Sequence, residues 1–173
     1  FIALIGWAGL WLRNAEKRRF PTHFGGPMAS TVLVLNGPNL NLLGMREPEV
    51  YGSETLDEIM EWFKAEPEMK EHELEHFQSN HEGSIVEFIQ EWSGQADGVI
   101  INAGALTQVG YSILDAILDT KLPLIEVHLS NIHAREEFRQ KSVFASSAIG
   151  QIAGFGPAGY IYALEHLYSV IDH

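Results

Sequence analysis

From Thr31 onward the chain alternates short apolar runs with amphipathic stretches. TVLVL (31–35) is β-branched and apolar and is broken by NGPN, which predicts a strand and then a turn. Residues 54–64, ETLDEIMEWFK, set Leu56, Ile59, Met60 and Phe63 at helical spacing. ELEHFQSN (73–80) reads as a second strand, and SIVEFIQEW (84–92) as a helix with Ser79 or Asn80 as its expected cap. GVIINAG (98–104) is a third strand, buried on both faces; SILDAILD (112–119) is a helix and LPLIEVHLS (122–130) a fourth strand. REEFRQ (135–140) begins a short helix, QIAGFG (151–156) is a fifth strand, and a last helix covers about 158–171.

Strands separated by helices of this length form βαβ units and so a parallel sheet. Five of them fit an α/β, flavodoxin-like, doubly wound five-stranded sheet of order 2-1-3-4-5. In such sheets the ligand crevice lies beyond the carboxyl ends of the strands where the order reverses, here between the first and third.

The 173 residues suffice for one domain, but the first stretch stands apart. FIALIGWAGLWL (1–12) is continuously apolar and is followed by a basic run. Twelve residues are too few to span a bilayer. The expectation is an N-terminal extension over 1–28 outside the native fold, with Met28 as the natural start, and a single domain over 29–173. A truncated signal or anchor sequence is the alternative. The net charge is -12, and the part after residue 28 holds 7 of the 11 basic and 22 of the 23 acidic residues. A body that acidic repels phosphate backbones, so nucleic acid is not an expected partner, and no membrane is expected either. The absence of cysteine excludes disulfides and thiolate metal sites and allows a reducing compartment; a cytoplasmic location is expected.

Polar residues gather where the crevice should be. The first strand ends in Asn36-Gly37-Pro38-Asn39, the third in Asn102-Ala103-Gly104, and the fourth in Glu126-Val127-His128-Leu129-Ser130. Each asparagine alone is an ordinary turn former. Three such clusters at adjacent strand ends point to a hydrogen-bonding site for a small molecule. The loop Gly44–Gly52 adds Tyr51 and, five residues earlier, Arg46. Bringing a phenol from a pKa of about 10 to about 7 needs roughly 4 kcal/mol, which a neighbouring permanent cation could supply.

With these segments in place, the chain resembles the type II 3-dehydroquinate dehydratases. LNGPNLNLLG, REPEVYG, FQSNHEG, INAGALT, IEVHLSNIHAREEFR and GFGPAGY carry the resemblance in order and spacing, from about Thr31 to the C-terminus. It implies the same flavodoxin-like fold and dehydration of 3-dehydroquinate to 3-dehydroshikimate by anti elimination through an enolate, with no metal and no other cofactor. It further implies that Tyr51 is the base, Arg46 lowers its pKa, Asn39 positions a water at the enolate oxygen, and His128 is the acid, supported by Asn102 and Glu126. Leu129 and Ser130 match a carboxylate-binding turn, Arg139 an arginine on substrate hydroxyls, and Asp115 an acid reaching a neighbouring subunit. The implied assembly is a homododecamer built from trimers. Gln108 stands where a histidine is expected and Leu114 where an arginine is. An inactive or substrate-shifted homologue is therefore the alternative function.

Other patterns are weaker. Gly154-Phe155-Gly156-Pro157-Ala158-Gly159 spells GxGxxG, but it lies in the last βα unit, and no further strand offers a ribose-binding acid. His72 and His76 are four apart, a metal-ligand spacing only if they share a helix face. A flavin- or nucleotide-binding module on the same fold is the rival from another class.

Overall fold

The computed structural model describes residues 30–45, 53–66 and 72–171. Its centre is a five-stranded, all-parallel sheet of β1 (Thr31–Asn36), β2 (Glu73–Gln78), β3 (Gly98–Asn102), β4 (Leu124–His128) and β5 (Gly150–Ala153) in the order β2-β1-β3-β4-β5. Four α-helices flank it among the described residues: α1 (Leu56–Lys64), α2 (Glu82–Glu91), α3 (Tyr111–Thr120) and α4 (Ala158–Ile171).

Both sheet faces are covered, which is why β1, β3 and β4 are buried along their whole length and read as apolar runs rather than alternating ones. Side chains alternate between the faces. Val32, Val34, Ile100, Ile125 and Val127 pack with α1 and α4 through Ile59, Phe63, Tyr160 and Leu164. Leu33, Leu35, Val99, Ile101 and Leu124 pack with α2 and α3 through Ile85, Ile89, Ile113 and Ile117. A fully buried Phe63 or Ile89 contributes about 1.5–3 kcal/mol.

Helix α1 opens with a capping box: Thr55 Oγ1 accepts from the Glu58 N–H at 3.2 Å, and the Glu58 carboxylate accepts from the Thr55 N–H at 2.8 Å. Helix α2 starts after His81, and neither Ser79 nor Asn80 is its cap. Ser79 Oγ accepts from the His81 N–H, while Asn80 turns toward the loop after β1. The helix expected from REEFRQ is instead a single 3-10 turn over Glu137–Arg139; with few apolar positions to bury, it has nothing to extend it. Strands β2 to β5 also end earlier than their sequence runs, whereas β1 extends one residue further, to Asn36. Gly104 (φ 56°) stops the chain after β3 and Gly154 (φ 87°) after β5, a backbone region that favours glycine.

Candidate active site

The carboxyl ends of β1 and β3 lie side by side, with Asn36 opposite Asn102 in the ladder. The loops beyond them are locked together. The Gly37 N–H donates to the Asn102 carbonyl at 2.8 Å, and a Cβ at Gly37 would sit 2.1 Å from the Ala103 carbonyl oxygen. Only glycine permits that approach. Asn39 takes the left-handed conformation, φ 67°, uncommon for a residue with a side chain. Its N–H donates to Asn80 Oδ1 at 2.9 Å, and Gln78 Nε2 donates to the same oxygen and to the Gly37 carbonyl. The end of β2 therefore shapes the loop that presents Asn39.

Asn36 and Asn102 project to the α4 side, where Tyr160 sits between them. Asn102 Nδ2 donates to the Tyr160 hydroxyl at 3.0 Å, and that hydroxyl donates to Asn36 Oδ1 at 2.5 Å. All three side chains are buried, and Asn36 Nδ2 has no partner among the described residues. Burial, only partly offset by the Asn102 bond, pushes the Tyr160 hydroxyl well above its ordinary pKa of 10. A tyrosine held neutral in this way is unsuited to take a proton. Asn102, expected beside His128, gives one amide N–H to Tyr160.

Strand β4 delivers the acidic and basic pair. Glu126 and His128, two residues apart, project to the same face; His128 Nε2 lies 2.7 Å from Glu126 Oε1, with the carboxylate fully buried and the imidazole nearly so. Two residues that the sequence reading missed complete the carboxylate's shell: Ser142 Oγ donates to Oε1 at 2.6 Å, and Gln151 Nε2 donates to Oε2 at 3.0 Å. Neither belongs to a recognisable motif; register alone could have pointed to Gln151, which pairs with Glu126 across the β4–β5 ladder.

Leu129 is buried and Ser130 half-buried just past the end of β4. Gln108 Nε2 reaches the Arg139 carbonyl at 3.4 Å, so the Gln108 amide meets the Arg139 backbone. The Arg139 guanidinium pairs with Glu136, Nε to Oε2 3.1 Å, and lies over the Phe138 ring. Asp115 is exposed on α3. Tyr51 and Arg46 lie outside the described residues.

The other sequence patterns find structural uses. In the GxGxxG segment the Gly154 and Gly156 N–H groups donate to the carbonyls of His128 and Leu129, so these amides are spent on β4 rather than open to a phosphate. His76 lies within β2 and His72 immediately before it. Four residues of strand separate them by roughly 13 Å, too far to share a metal ion. His72 stacks on Tyr168 at 3.8 Å.

This topology with these strand-end residues is matched by known proteins. Residues 30–168 match the family described as Dehydroquinase class II. The chain belongs to that family. It is 51% identical over 140 residues to the "Catabolic 3-dehydroquinase" of Aspergillus clavatus, covering 81% of this chain and 93% of the other. Identity to the "3-dehydroquinate dehydratase" of Halothermothrix orenii is 49% over 140 residues, 81% of this chain and 95% of that one. Among solved structures, the type II dehydroquinase from Butyrivibrio crossotus superposes with a TM-score of 0.78 at 43% identity, over 82% of this chain and 99% of the other. The pair Glu126–His128 and the amides Asn36, Asn39 and Asn102 are thus strand-end groups of a class II dehydroquinase.

Proposed function

We propose that this class II dehydroquinase converts 3-dehydroquinate to 3-dehydroshikimate, as an enzyme that needs no metal or other cofactor. The observation that carries the reading is the buried His128–Glu126 pair at the carboxyl edge of β4 in a chain of this family. In the proposed reaction a Tyr51 phenolate takes the proton next to the ketone, and the electron pair moves into an enolate. The enolate then re-forms the ketone as the C–O bond breaks, and His128 protonates the departing hydroxyl to give water. Hydroxide is a poor leaving group, so an acid there has work that no passive donor can replace. Arg46 stabilises the phenolate. Asn39 positions a water at the enolate oxygen, where aimed donors stabilise the developing charge. Leu129 and Ser130 hold the substrate carboxylate, and Asn102, Gln108 and Arg139 its hydroxyls and ring.

The site belongs, on this reading, to a homo-oligomer, a homododecamer of trimers, in which Asp115 serves a neighbouring subunit. The exposure of Asp115 on α3, beside the exposed Tyr111 and Leu118, suits such a contact. Among the described residues no helix is long and apolar enough to cross a membrane; we assign the enzyme to the cytoplasm. The functional domain is 29–173 on this reading, and removal of residues 1–27 is expected to leave turnover and the urea midpoint unchanged.

The test is the absorbance of the conjugated enone formed from 3-dehydroquinate, with and without EDTA, in the native protein and in Tyr51→Phe. Turnover that survives EDTA and falls at least about a hundredfold in Tyr51→Phe is expected. Near-native turnover of the variant removes Tyr51 from the mechanism, and a loss to EDTA restored by a divalent ion replaces the reading with a metal-dependent one.

A further inference from the structure

Every hydrogen bond around Glu126 has a direction that can be deduced. Ser142 Oγ accepts from the Phe144 N–H at 3.0 Å and from the Ala145 N–H at 3.3 Å. Its lone pairs are thereby occupied, and its single proton is left for Glu126 Oε1, 2.6 Å away. The Gln151 amide nitrogen can only donate, and it donates to Oε2. A carboxyl group that receives a donor on each oxygen is held as the carboxylate. Glu126 is also fully buried, so without those donors its charge would be costly.

The imidazole must then donate as well. A carboxylate has no proton to offer, so the close contact at His128 Nε2 requires the hydrogen to sit on Nε2. Nδ1 becomes the nitrogen that can exchange a proton with a ligand. When the pair holds a second proton, it has two places to go. On the ring, it makes an imidazolium, which at Nδ1 is a far better proton donor than a neutral imidazole. On Glu126, it leaves a neutral ring whose remaining N–H is far too weak an acid to protonate a leaving hydroxyl.

We propose that Ser142 and Gln151 are positioning residues that keep the proton on His128 Nε2 and so make the imidazolium, rather than a protonated Glu126, the form in which the acid is stored. This rests on His128 being the acid of the proposed dehydration. Neither residue needs to touch substrate: Gln151 stands on the edge strand β5 and Ser142 in the segment before it. Their loss therefore acts on kcat and spares KM.

The experiment is solid-state ¹⁵N spectroscopy of histidine-labelled full-length protein over a descending pH series, read where the pair has taken up its second proton. His128→Gln identifies the His128 signals. In the native protein both ring nitrogens are expected to carry hydrogen. In Ser142→Ala and Gln151→Leu, Nε2 shifts toward the unprotonated type, and kcat for 3-dehydroquinate falls at least about fivefold with KM within about twofold. Ser142→Thr, which keeps the hydroxyl, restores both. Because Ser142 also holds the turn at Phe144 and Ala145, Gln151→Leu supplies a variant that leaves that turn intact. A native spectrum with bare Nε2 overturns the proposal, as does a fall in kcat with the Nε2 signal unmoved. The spectra are read without substrate, so a protein inactive on 3-dehydroquinate overturns the proposed reaction while leaving the proton assignment to be judged on its own.

Discussion

Tyr160→Phe removes one oxygen atom from the centre of the molecule. The ring keeps its place beside Phe63, 6.0 Å between centroids, so no cavity larger than the lost hydroxyl forms. What changes is the hydrogen bonding. Asn36 Oδ1 loses its donor and Asn102 Nδ2 its acceptor, and both side chains are at most 4% exposed. A buried polar group left unsatisfied costs about 1–3 kcal/mol. Two of them give a loss of about 2–4 kcal/mol once partial relaxation is allowed for. A domain typically has about 5–15 kcal/mol to lose, so the variant folds but is markedly weaker. The assay is urea unfolding at fixed protomer concentration, because assembly would otherwise contribute. Glu87→Gln, at an exposed site on α2, serves as the control and should shift stability by no more than about 0.5 kcal/mol. A second mutation isolates the pair: Asn36→Leu should cost less in the Tyr160→Phe background than in the native protein, by about 1 kcal/mol or more. A Tyr160→Phe loss of under about 0.5 kcal/mol, or strict additivity of the two changes, would refute the reading of the hydroxyl as a sealed bridge.

Three further outcomes follow from other parts of the molecule. Thr55→Ala breaks the capping box of α1 and should lower stability by about 1 kcal/mol; an unchanged urea midpoint would mean that solvent already satisfies that helix end. His76 is half-buried, with its Nε2 buried and without a partner among the described residues, and burial, then Lys64, with Asp57 opposing, lowers its pKa below the ordinary 6.5. The unfolded chain takes up that proton first, so the contribution is intact above about pH 6.5 and lost as pH falls below it. His76→Leu should accordingly flatten the decline in urea midpoint between about pH 7 and pH 5.5, and an equal slope in both proteins would exclude His76 as its source. Gln108→His should change kcat/KM by less than about tenfold, or 1.4 kcal/mol. Gln108→Ala should cost more, chiefly in KM, and an alanine variant equal to the native enzyme would place Gln108 away from the substrate.

The sheet was legible in the sequence because its central strands are buried on both faces. TVLVL, GVIIN and LIEVH leave little room for another reading, and the helices between them show their apolar stripe at the right period. Where local signals mislead, the reason is physical. REEFRQ contains helix formers but too little apolar surface to dock a helix. Ser79 and Asn80 look like caps, yet Ser79 Oγ accepts from the His81 N–H just ahead of the helix and Asn80 Oδ1 from the Asn39 N–H. The site was legible where a motif holds both members of a contact, as in Glu126-Val127-His128. It was illegible where the contact is long-range. Tyr160 is 124 residues from Asn36, and Ser142 is 16 from Glu126; no periodicity reports that these side chains meet.

Gly37 has a consequence for how substrate preference can vary. With a Cβ forbidden there by the Ala103 carbonyl, the loops after β1 and β3 have no slack between them, and the Gly37–Asn102 bond ties one to the other. Any side chain at position 37 would pry apart the two central strands at their working ends. That wall of the crevice is therefore a fixed gauge: it can hold a ligand of one thickness but cannot be widened one residue at a time. New preferences would have to enter farther from the two strand ends, through side chains such as Gln108, whose amide meets the Arg139 carbonyl. There a changed side chain displaces its neighbours rather than the sheet, and the departure at Gln108 is of that kind.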